Sequence, residues 1–449
     1  MTLLASLLRE LENQKLSVNK RAELSCEAAK EYEDKGEYEQ ARAMLREFWR
    51  RIGERPNIAG LEDNTAAELL LRAGVLTGAI GSKNQIARAE ETAKNLISES
   101  LSIFESRRYK KKIAEAQTEL ALCYWRTGEY NNARDFLKVA LSQLTTDSEV
   151  KAKAIVRLAI VERGNANCER ALRILTKSAP LFEKINNQMV KGIYHVTLGI
   201  TLRNLWESEK QSGYIDRALI EYAAASYHFE QAEHRCYLAN TENNLGFLYY
   251  KIGLYKEAHT HLDHARRVLV SLKDTGTVAQ VDETRACVFL EQDQIVEAER
   301  VARSAVRTHE NSDRLVLLAE ALVTHGRALA RLGNHRAALA DFRRAIDLAE
   351  HAGSTNRAAL AALAAFNEMG DHLAVTEGHG FVTSGKLRKD IQALERELIE
   401  RALDAAQGRI TYAARNLGVS HQTLNYMLET RYKDLLKKRR AKRRESPRK

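Results

Sequence analysis

The sequence predicts an all-α protein built of paired helices, and three observations favour this fold class. The 449 residues include only 3 prolines, which interrupt helices. Alanine, leucine, glutamate and arginine are abundant, and all four are strong helix formers. A pattern of small and aromatic residues recurs along most of the chain, and its later copies are spaced by 40 residues. We therefore expect successive helical hairpins that pack on one another.

The clearest copy of this pattern contains Gly246, Tyr249, Gly253 and Ala258. Small residues at Gly246 and Ala258 let two helices cross closely, and the aromatic ring fills the wedge beside the crossing. Gly253 provides the turn between the two helices. One alanine marks the second helix of each of eight copies: Ala41, Ala89, Ala133, Ala171, Ala218, Ala258, Ala298 and Ala338.

This pattern resembles the tetratricopeptide repeat. The resemblance implies an α-solenoid of about eight hairpins over residues 1–366, with a concave groove that binds a protein or peptide. It places Asn240, Asn243 and Asn244 in that groove as candidate peptide-binding residues; the alternative is an ordinary polar surface. Because the usual repeat has about 34 residues, the wider spacing here predicts longer helices or longer loops.

Residues 408–428 carry the pattern of a helix-turn-helix. Gly418 permits a sharp turn because glycine adopts positive φ at little cost, and Ser420 is a favourable N-cap for a second helix. The apolar residues recur at helical spacing on the faces that would meet: Ile410, Ala413, Ala414, Leu417, Leu424 and Leu428. Such a second helix is placed to lie in a DNA major groove.

The same segment resembles the Fis-type DNA-binding domain over about residues 394–433, through Thr411, Ala413-Ala414, Leu417-Gly418-Val419, Thr423-Leu424 and Leu428. The resemblance implies a small domain at 387–436 that forms a homodimer through the helix Leu394–Ala406. It assigns contacts with bases or phosphates to Arg409, Thr411, Ser420, His421, Thr423, Asn425 and Tyr426. The family's second helix is usually more basic, so its base preference does not transfer. The alternative is a hairpin used only for dimerisation.

The basic excess of the chain lies at this C-terminal end. Residues 386–449 contain 18 Lys and Arg against 8 Asp and Glu, which leaves 52 of each in residues 1–385. Double-stranded DNA is therefore the expected partner of this segment. Residues 437–449 form a basic tail, expected to be disordered until it meets phosphates, and the Gly-rich stretch 367–386 reads as a flexible linker.

Several other functions are not expected. The scattered cysteines Cys26, Cys123, Cys168, Cys236 and Cys287 are interpreted as buried thiols of a reducing cytoplasm, without a disulfide or zinc pattern. The N-terminal residues form a short amphipathic helix and not a signal peptide, and no membrane span is expected. Residues 380–386 imitate a phosphate-binding loop, but Leu387 replaces the required Ser or Thr. His259, His261 and His264 lack metal-ligand spacing, so we predict no metal site. No nucleophile elbow and no pair of catalytic carboxylates stands out, so we expect no enzyme and no cofactor.

The sequence thus predicts a bacterial, sequence-specific DNA-binding transcriptional regulator, cytoplasmic and nucleoid-associated, whose solenoid binds a protein or peptide. The alternative is a protein-interaction scaffold with only non-specific DNA or RNA tethering through its basic C-terminus. A third interpretation is an RNA-binding protein.

Overall fold

The computed structural model describes residues 3–84, 86, 88–209, 211–310, 315–351, 396–397, 399–404, 406–417 and 421–435. Within these ranges every regular element is helical, which confirms the all-α fold class. The helices are α1 Leu3–Leu11, α2 Val18–Asp34, α3 Tyr38–Met44, α4 Asp63–Asn84, α5 Ala89–Ser106, α6 Lys110–Arg126, α7 Tyr130–Gln143, α8 Glu149–Gly164, α9 Cys168–Lys184, α10 Gln188–Glu209, α11 Ser212–Gln231, α12 Arg235–Lys251, α13 Tyr255–Ser271, α14 Thr275–Glu291, α15 Ile295–Glu310, α16 Leu315–Arg331, α17 His335–His351, α18 Ile410–Asn416 and α19 His421–Thr430. The described residues of 396–404 are also helical.

Helices α2 to α17 follow one another as eight consecutive hairpins, and in seven of them, all but α12/α13, the two helices pack against each other. The eight marker alanines all lie on the second helix of a hairpin, and none is more than 4% exposed. The predicted count of about eight hairpins is therefore confirmed. The added length falls in part on the helices, since α4 and α10 each contain 22 residues.

Glycines on first helices accept aromatic rings from second helices, whereas the repeat pattern places its aromatic residue on the first helix, as at Tyr249. A Cβ atom at Gly326 would lie 2.5 Å from Cε1 of Phe342, and one at Gly199 would lie 2.8 Å from Cε1 of Tyr222. Both rings are fully buried. A larger residue at either glycine would force the paired helices apart.

The turn residue inside the hairpins adopts a left-handed conformation. Its φ is +73° at Gly36 and +80° at Gly333, but also +60° at Asp293 and +59° at Ala166. The geometry of the turn is therefore kept even where glycine is absent, at an energetic cost to the residue that has a Cβ.

Ala166→Gly is expected to raise the free energy of unfolding by about 0.5–1 kcal/mol, because glycine removes the left-handed strain at this exposed turn. All three tryptophans lie at positions 49, 125 and 206, so urea unfolding followed by tryptophan fluorescence reports residues 1–252. Ala232→Gly is the matched control, since Ala232 has φ −82° and should lose stability. Equal effects of the two changes would contradict the argument.

The chain divides into two compact units, residues 1–252 and 253–449. Within the first unit the chain returns to its own beginning. Lys153 Nζ lies 3.0 Å from Asp34 Oδ1, and a Cβ at Gly36 would lie 2.2 Å from His234 Nε2. The first hairpin thus contacts α8 and the start of α12.

The second unit contains the last hairpins and the C-terminal helices in one hydrophobic cluster. This cluster runs from Ala279 on α14 through Phe342 on α17 to Leu435. An ion pair between Arg401 and Asp347 on α17, 3.7 Å apart, adds a polar contact. The helix-turn-helix helices therefore pack in the same core as the last hairpin.

Three cysteines differ from the expectation of burial. Cys26 and Cys123 are buried, whereas Cys168, Cys236 and Cys287 are partly exposed. Cys168 is the first residue of α9, and its neighbours Asn167 and Glu169 are exposed. All five are free thiols.

The short N-terminal helix is present as α1, with Leu7 buried against Leu24 and Ala28. Over the described ranges, no helix combines the length and apolar character that crossing a membrane requires.

Candidate functional site

The helix that precedes the helix-turn-helix ends as the sequence predicted. Gln407 and Gly408 both have positive φ, +50° and +73°. The N–H of Gly408 donates to the carbonyl of Leu403 at 2.7 Å, and that of Gln407 donates to Asp404 at 3.0 Å. This left-handed termination satisfies the last carbonyls of the helix and redirects the chain into α18.

The buried side of helix α19 packs against α18. Leu424 and Leu428 are 0% exposed, and Ala413, Ala414 and Leu417 are buried in the same cluster. The small side chains of α18 let α19 cross closely, as the pattern predicted. Residues 418–420, which include the predicted turn and N-cap, lie outside the described residues.

The outward side of α19 is open to solvent. Tyr426 is 64% exposed, and His421 and Gln422 are exposed beside it. Arg409 and Thr411 at the start of α18 are also exposed, and the Arg409 guanidinium lies 5.7 Å from the centre of the Tyr412 ring. Exposed residues of this kind can donate to bases and phosphates.

Two of the predicted DNA-contacting residues have other surroundings. Asn425 is half-buried, and its Nδ2 donates to Glu429 Oε1 at 2.8 Å, so the amide has a partner within the chain. Ser420 lies outside the described residues, as does the side chain of Thr423. Five of the seven predicted residues therefore lie on the described part of the helix-turn-helix: Arg409, Thr411, His421, Asn425 and Tyr426. Their contacts with DNA remain a prediction.

The predicted dimerisation helix turns an apolar face inward. Ile399, Ala402, Leu403 and Ala406 are buried in the cluster that contains α18 and α19. Arg396 pairs with Asp434, which ties this helix to the residues that follow α19. A homodimer would therefore use the remaining, polar side of the helix, and it stays a prediction. The linker 367–386, the imitation of a phosphate-binding loop and the tail 437–449 lie outside the described residues.

A cavity of about 190 Å³ lies within the first unit. Its walls come mainly from the first helices of successive hairpins, α2, α4, α6, α8 and α10. Tyr38 from the first hairpin and Tyr237 from α12 both line it, so the return of the chain to its beginning completes the wall. Apolar side chains such as Val75, Ile97 and Leu122 supply much of the remaining surface.

Arg72 lies at the centre of an ionic network on this wall. The side chain is buried, with Nη1 2.6 Å from Glu33, Nη2 3.0 Å from Glu115 and Nε 3.2 Å from Glu68. Lys30 also pairs with Glu115, at 2.8 Å. The cationic neighbours outweigh burial at Glu115 and hold the pKa of its carboxyl well below the usual range.

Besides Arg72 Nε, which lies 3.2 Å from Glu68, two buried polar atoms on the cavity wall have no hydrogen-bond partner. They are Glu33 Oε1 and Arg157 Nη1, one acceptor and one donor. The other groups of these two side chains are engaged by Arg72 and by Glu119. Burial raises the pKa of Glu33 to about 7, against the opposing effect of Arg72. A ligand that offers both a donor and an acceptor would satisfy both atoms.

Glu33→Gln is expected to remove a pH dependence of the stability. The folded pKa of Glu33 lies above the ordinary value of 4.5, so its contribution is present below about pH 4.5 and is lost as the pH rises to about 7. The loss amounts to about 3 kcal/mol at most. We expect urea midpoints of the wild type, read by tryptophan fluorescence, to fall relative to the glutamine variant across this window. Parallel curves would contradict the assignment.

The three predicted peptide-binding asparagines all lie on α12 and are half-buried, outside the residues that line the cavity. Asn243 Oδ1 is buried without a hydrogen-bond partner, and Asn240 Nδ2 lies 3.9 Å from Cys236 Sγ.

Sequence reasoning missed the Arg72 network. Its signal was an arginine alone in the apolar run 69–80, which is costly to bury unless carboxylates meet it.

Among the three histidines that were not expected to bind a metal, His259 forms an ordinary side-chain contact. His259 Nε2 lies 2.8 Å from Gln292 Oε1. Among the described residues, no group of three or more His, Cys, Asp or Glu side chains is arranged to hold a metal ion.

Comparison with protein families finds two matches. Residues 391–429 match the bacterial regulatory proteins of the Fis family. Residues 114–142 and 319–351 match the tetratricopeptide repeat, and these correspond to α6/α7 and α16/α17. No curated protein matches the chain in sequence.

Solved structures share the fold. A Rap protein complexed with competence and sporulation factor is 13% identical, with a TM-score of 0.54 over 78% of this chain and 92% of that one. The apo quorum sensor NprR of B. thuringiensis is 13% identical, with a TM-score of 0.53 over 77% and 91%. A signal transduction ATPase of Pyrococcus horikoshii with a tetratricopeptide repeat sensor is 16% identical, with a TM-score of 0.54 over 83% and 54%. The chain therefore joins tetratricopeptide repeats, arranged as an α-solenoid, to a C-terminal helix-turn-helix of the Fis family.

Proposed function

We propose that the protein is a sequence-specific DNA-binding transcriptional regulator that acts in the bacterial cytoplasm as a homodimer. The main support is the outward side of α19, where His421 and Tyr426 are exposed on a helix whose other side is fixed by Leu424 and Leu428. A rigid helix with exposed polar residues fits a major groove. Two such helices in a dimer would reach successive grooves about 34 Å apart.

The solenoid is proposed to sense a peptide or a protein segment in the cavity of the first unit. Glu33 Oε1 and Arg157 Nη1 complement the N–H and C=O groups that every peptide backbone offers. The apolar wall would take a side chain of the same segment. Solenoids of similar fold include a Rap protein complexed with a competence and sporulation factor and a quorum sensor, which agrees with a sensing role.

DNA selection from a random pool by the full-length protein tests the regulator. We expect a two-fold-symmetric motif, and we expect His421→Ala with Tyr426→Ala to lower affinity for that motif by more than about 10-fold. Removal of residues 437–449 should weaken binding to all sequences alike and reduce its salt dependence. The matched control is Tyr227→Ala, an exposed tyrosine on α11 of the first unit.

The competing function is an interaction scaffold that is only tethered to nucleic acid, which the basic excess of residues 386–449 favours. In that case the pool yields no motif, and binding disappears when residues 437–449 are removed. RNA that competes as well as DNA would indicate an RNA-binding protein instead. Either result overturns the regulator.

A random peptide library displayed on phage tests the sensing role separately. Peptides enriched on the full-length protein should bind Arg157→Met at least about 10-fold more weakly, since a charge-assisted hydrogen bond is lost. The control variant Arg173→Met changes an exposed arginine of α9, and it should bind the same peptides as the wild type does. Equal binding by both variants would place the peptide site elsewhere.

A further inference from the structure

Three buried polar atoms between α8, α10 and α11 lack hydrogen-bond partners. They are Nη1 of Arg163, Nε of Arg203 and the hydroxyl of Tyr222. Arg203 is 9% exposed and Tyr222 is 0% exposed. The residues are distinct from those that line the cavity of the first unit. All three atoms can donate a hydrogen bond, so they share a need for an acceptor.

The fold holds these side chains in place. The Tyr222 ring lies against Gly199 on α10, one turn before Arg203, with Cε1 2.8 Å from where a Cβ would be. Arg203 Nη2 donates to Asn204 Oδ1 at 3.3 Å, and its guanidinium lies 5.1 Å from the centre of the Phe247 ring. These contacts fix the guanidinium but leave Nε without an acceptor.

Neither arginine has a carboxylate within 4.0 Å among the residues that the structure describes, in contrast to Arg72 and Arg157. Glu207 lies one turn after Arg203 and is near enough to raise the pKa of Tyr222, but it forms no ion pair with either arginine. Burial, together with the charge of Arg203, lowers the pKa of Arg163 to about 10, which keeps it cationic at neutral pH. The two cations therefore lie close enough to affect each other, and among the described residues neither has a carboxylate within ion-pair distance.

We propose that Arg163, Arg203 and Tyr222 form a binding site for an oxyanion, a carboxylate or a phosphate group, held by the three buried donor atoms that have no partner among the described residues. Each oxyanion oxygen accepts hydrogen bonds, and guanidinium groups match the geometry of carboxylate and phosphate. The negative charge offsets the repulsion between the two arginines. This site is separate from the proposed DNA contacts and from the peptide cavity, and it does not depend on either.

Isothermal titration of the full-length protein with inorganic phosphate, and separately with acetate, tests the site at constant ionic strength set by chloride. We expect saturable binding at one site. Arg203→Gln should weaken it by about 10- to 150-fold, the equivalent of a charge-assisted hydrogen bond of about 1.5–3 kcal/mol. Tyr222→Phe keeps the ring against Gly199 and should weaken binding about 2- to 10-fold. Arg173→Gln, an exposed arginine on α9, should bind as the wild type does.

The two ligands separate the sources of the anion. Binding of both indicates a carboxylate site that also accepts phosphate, whereas binding of phosphate alone indicates a phosphate group; both outcomes support the site. The proposal is overturned if neither ligand binds, or if Tyr222→Phe, which should fold normally, binds as the wild type does. It is also overturned if Glu207→Gln destabilises the protein as much as Arg203→Gln does, since Glu207 would then be the partner of Arg203 in solution.

Discussion

Arg72→Met is expected to destabilise the first unit by about 3–5 kcal/mol, the typical cost of removing one partner from a buried ionic network. The change leaves Glu33, Glu68 and Glu115 close together without the cation that lies within 3.2 Å of each. A methionine of similar length fills the space but cannot donate to a carboxylate. Urea unfolding read by tryptophan fluorescence measures the loss, because all three tryptophans precede residue 253.

The control for this change is Arg173→Met, which removes an exposed arginine whose ion pair with Glu169 spans 4.0 Å. It should alter the free energy of unfolding by no more than about 0.5 kcal/mol. Adding Glu33→Gln to Arg72→Met should recover part of the loss, since Glu33 then no longer carries a charge that lacks its cation, whereas Glu115 keeps Lys30. A loss below about 1 kcal/mol for Arg72→Met alone would show that water reaches the network.

Leu424→Ala is expected to abolish DNA binding by the full-length protein. Leu424 is 0% exposed beneath the outward side of α19, and its truncation leaves a cavity that costs about 2–5 kcal/mol. The cavity loosens the contact of α19 with α18, so the outward side of α19 would no longer be held in place. Mobility-shift titration on the selected motif measures the effect.

Leu424→Met is the matched control, because it conserves volume and should cost less than about 1.5 kcal/mol. It should bind the motif within a few-fold of the wild type. If Leu424→Ala also binds normally, the packing of α19 on α18 does not support its contact with DNA.

Residue types and spacing were enough to predict the repeats and the helix-turn-helix. The marker alanines and Gly326 are constrained by a local event, two neighbouring helices crossing closely, which leaves a small residue at a fixed position. Ala413 and Ala414 are constrained in the same way beneath α19. Local crossings of this kind leave a periodic trace in the sequence.

The cavity could not be predicted because its walls meet across long sequence separations. Tyr38 and Tyr237 line the same space although about two hundred residues separate them, and no periodicity marks that meeting. The pairs Arg72–Glu115 and Lys153–Asp34 likewise depend on how successive hairpins rotate. Asn240, Asn243 and Asn244 were assigned from the repeat pattern alone, which fixes the position of a residue on its helix but not where the hairpins enclose a cavity.

The contact between Gly36 and His234 limits how this chain can change in length. A repeat array usually tolerates the gain or loss of one repeat, because each repeat contacts only its neighbours. Here the turn at Gly36 meets a residue five hairpins later, with no room for a Cβ between them. Duplication or deletion of one hairpin between Gly36 and His234 would displace these two residues and break their contact. We therefore expect the number of hairpins between them to stay constant in evolution.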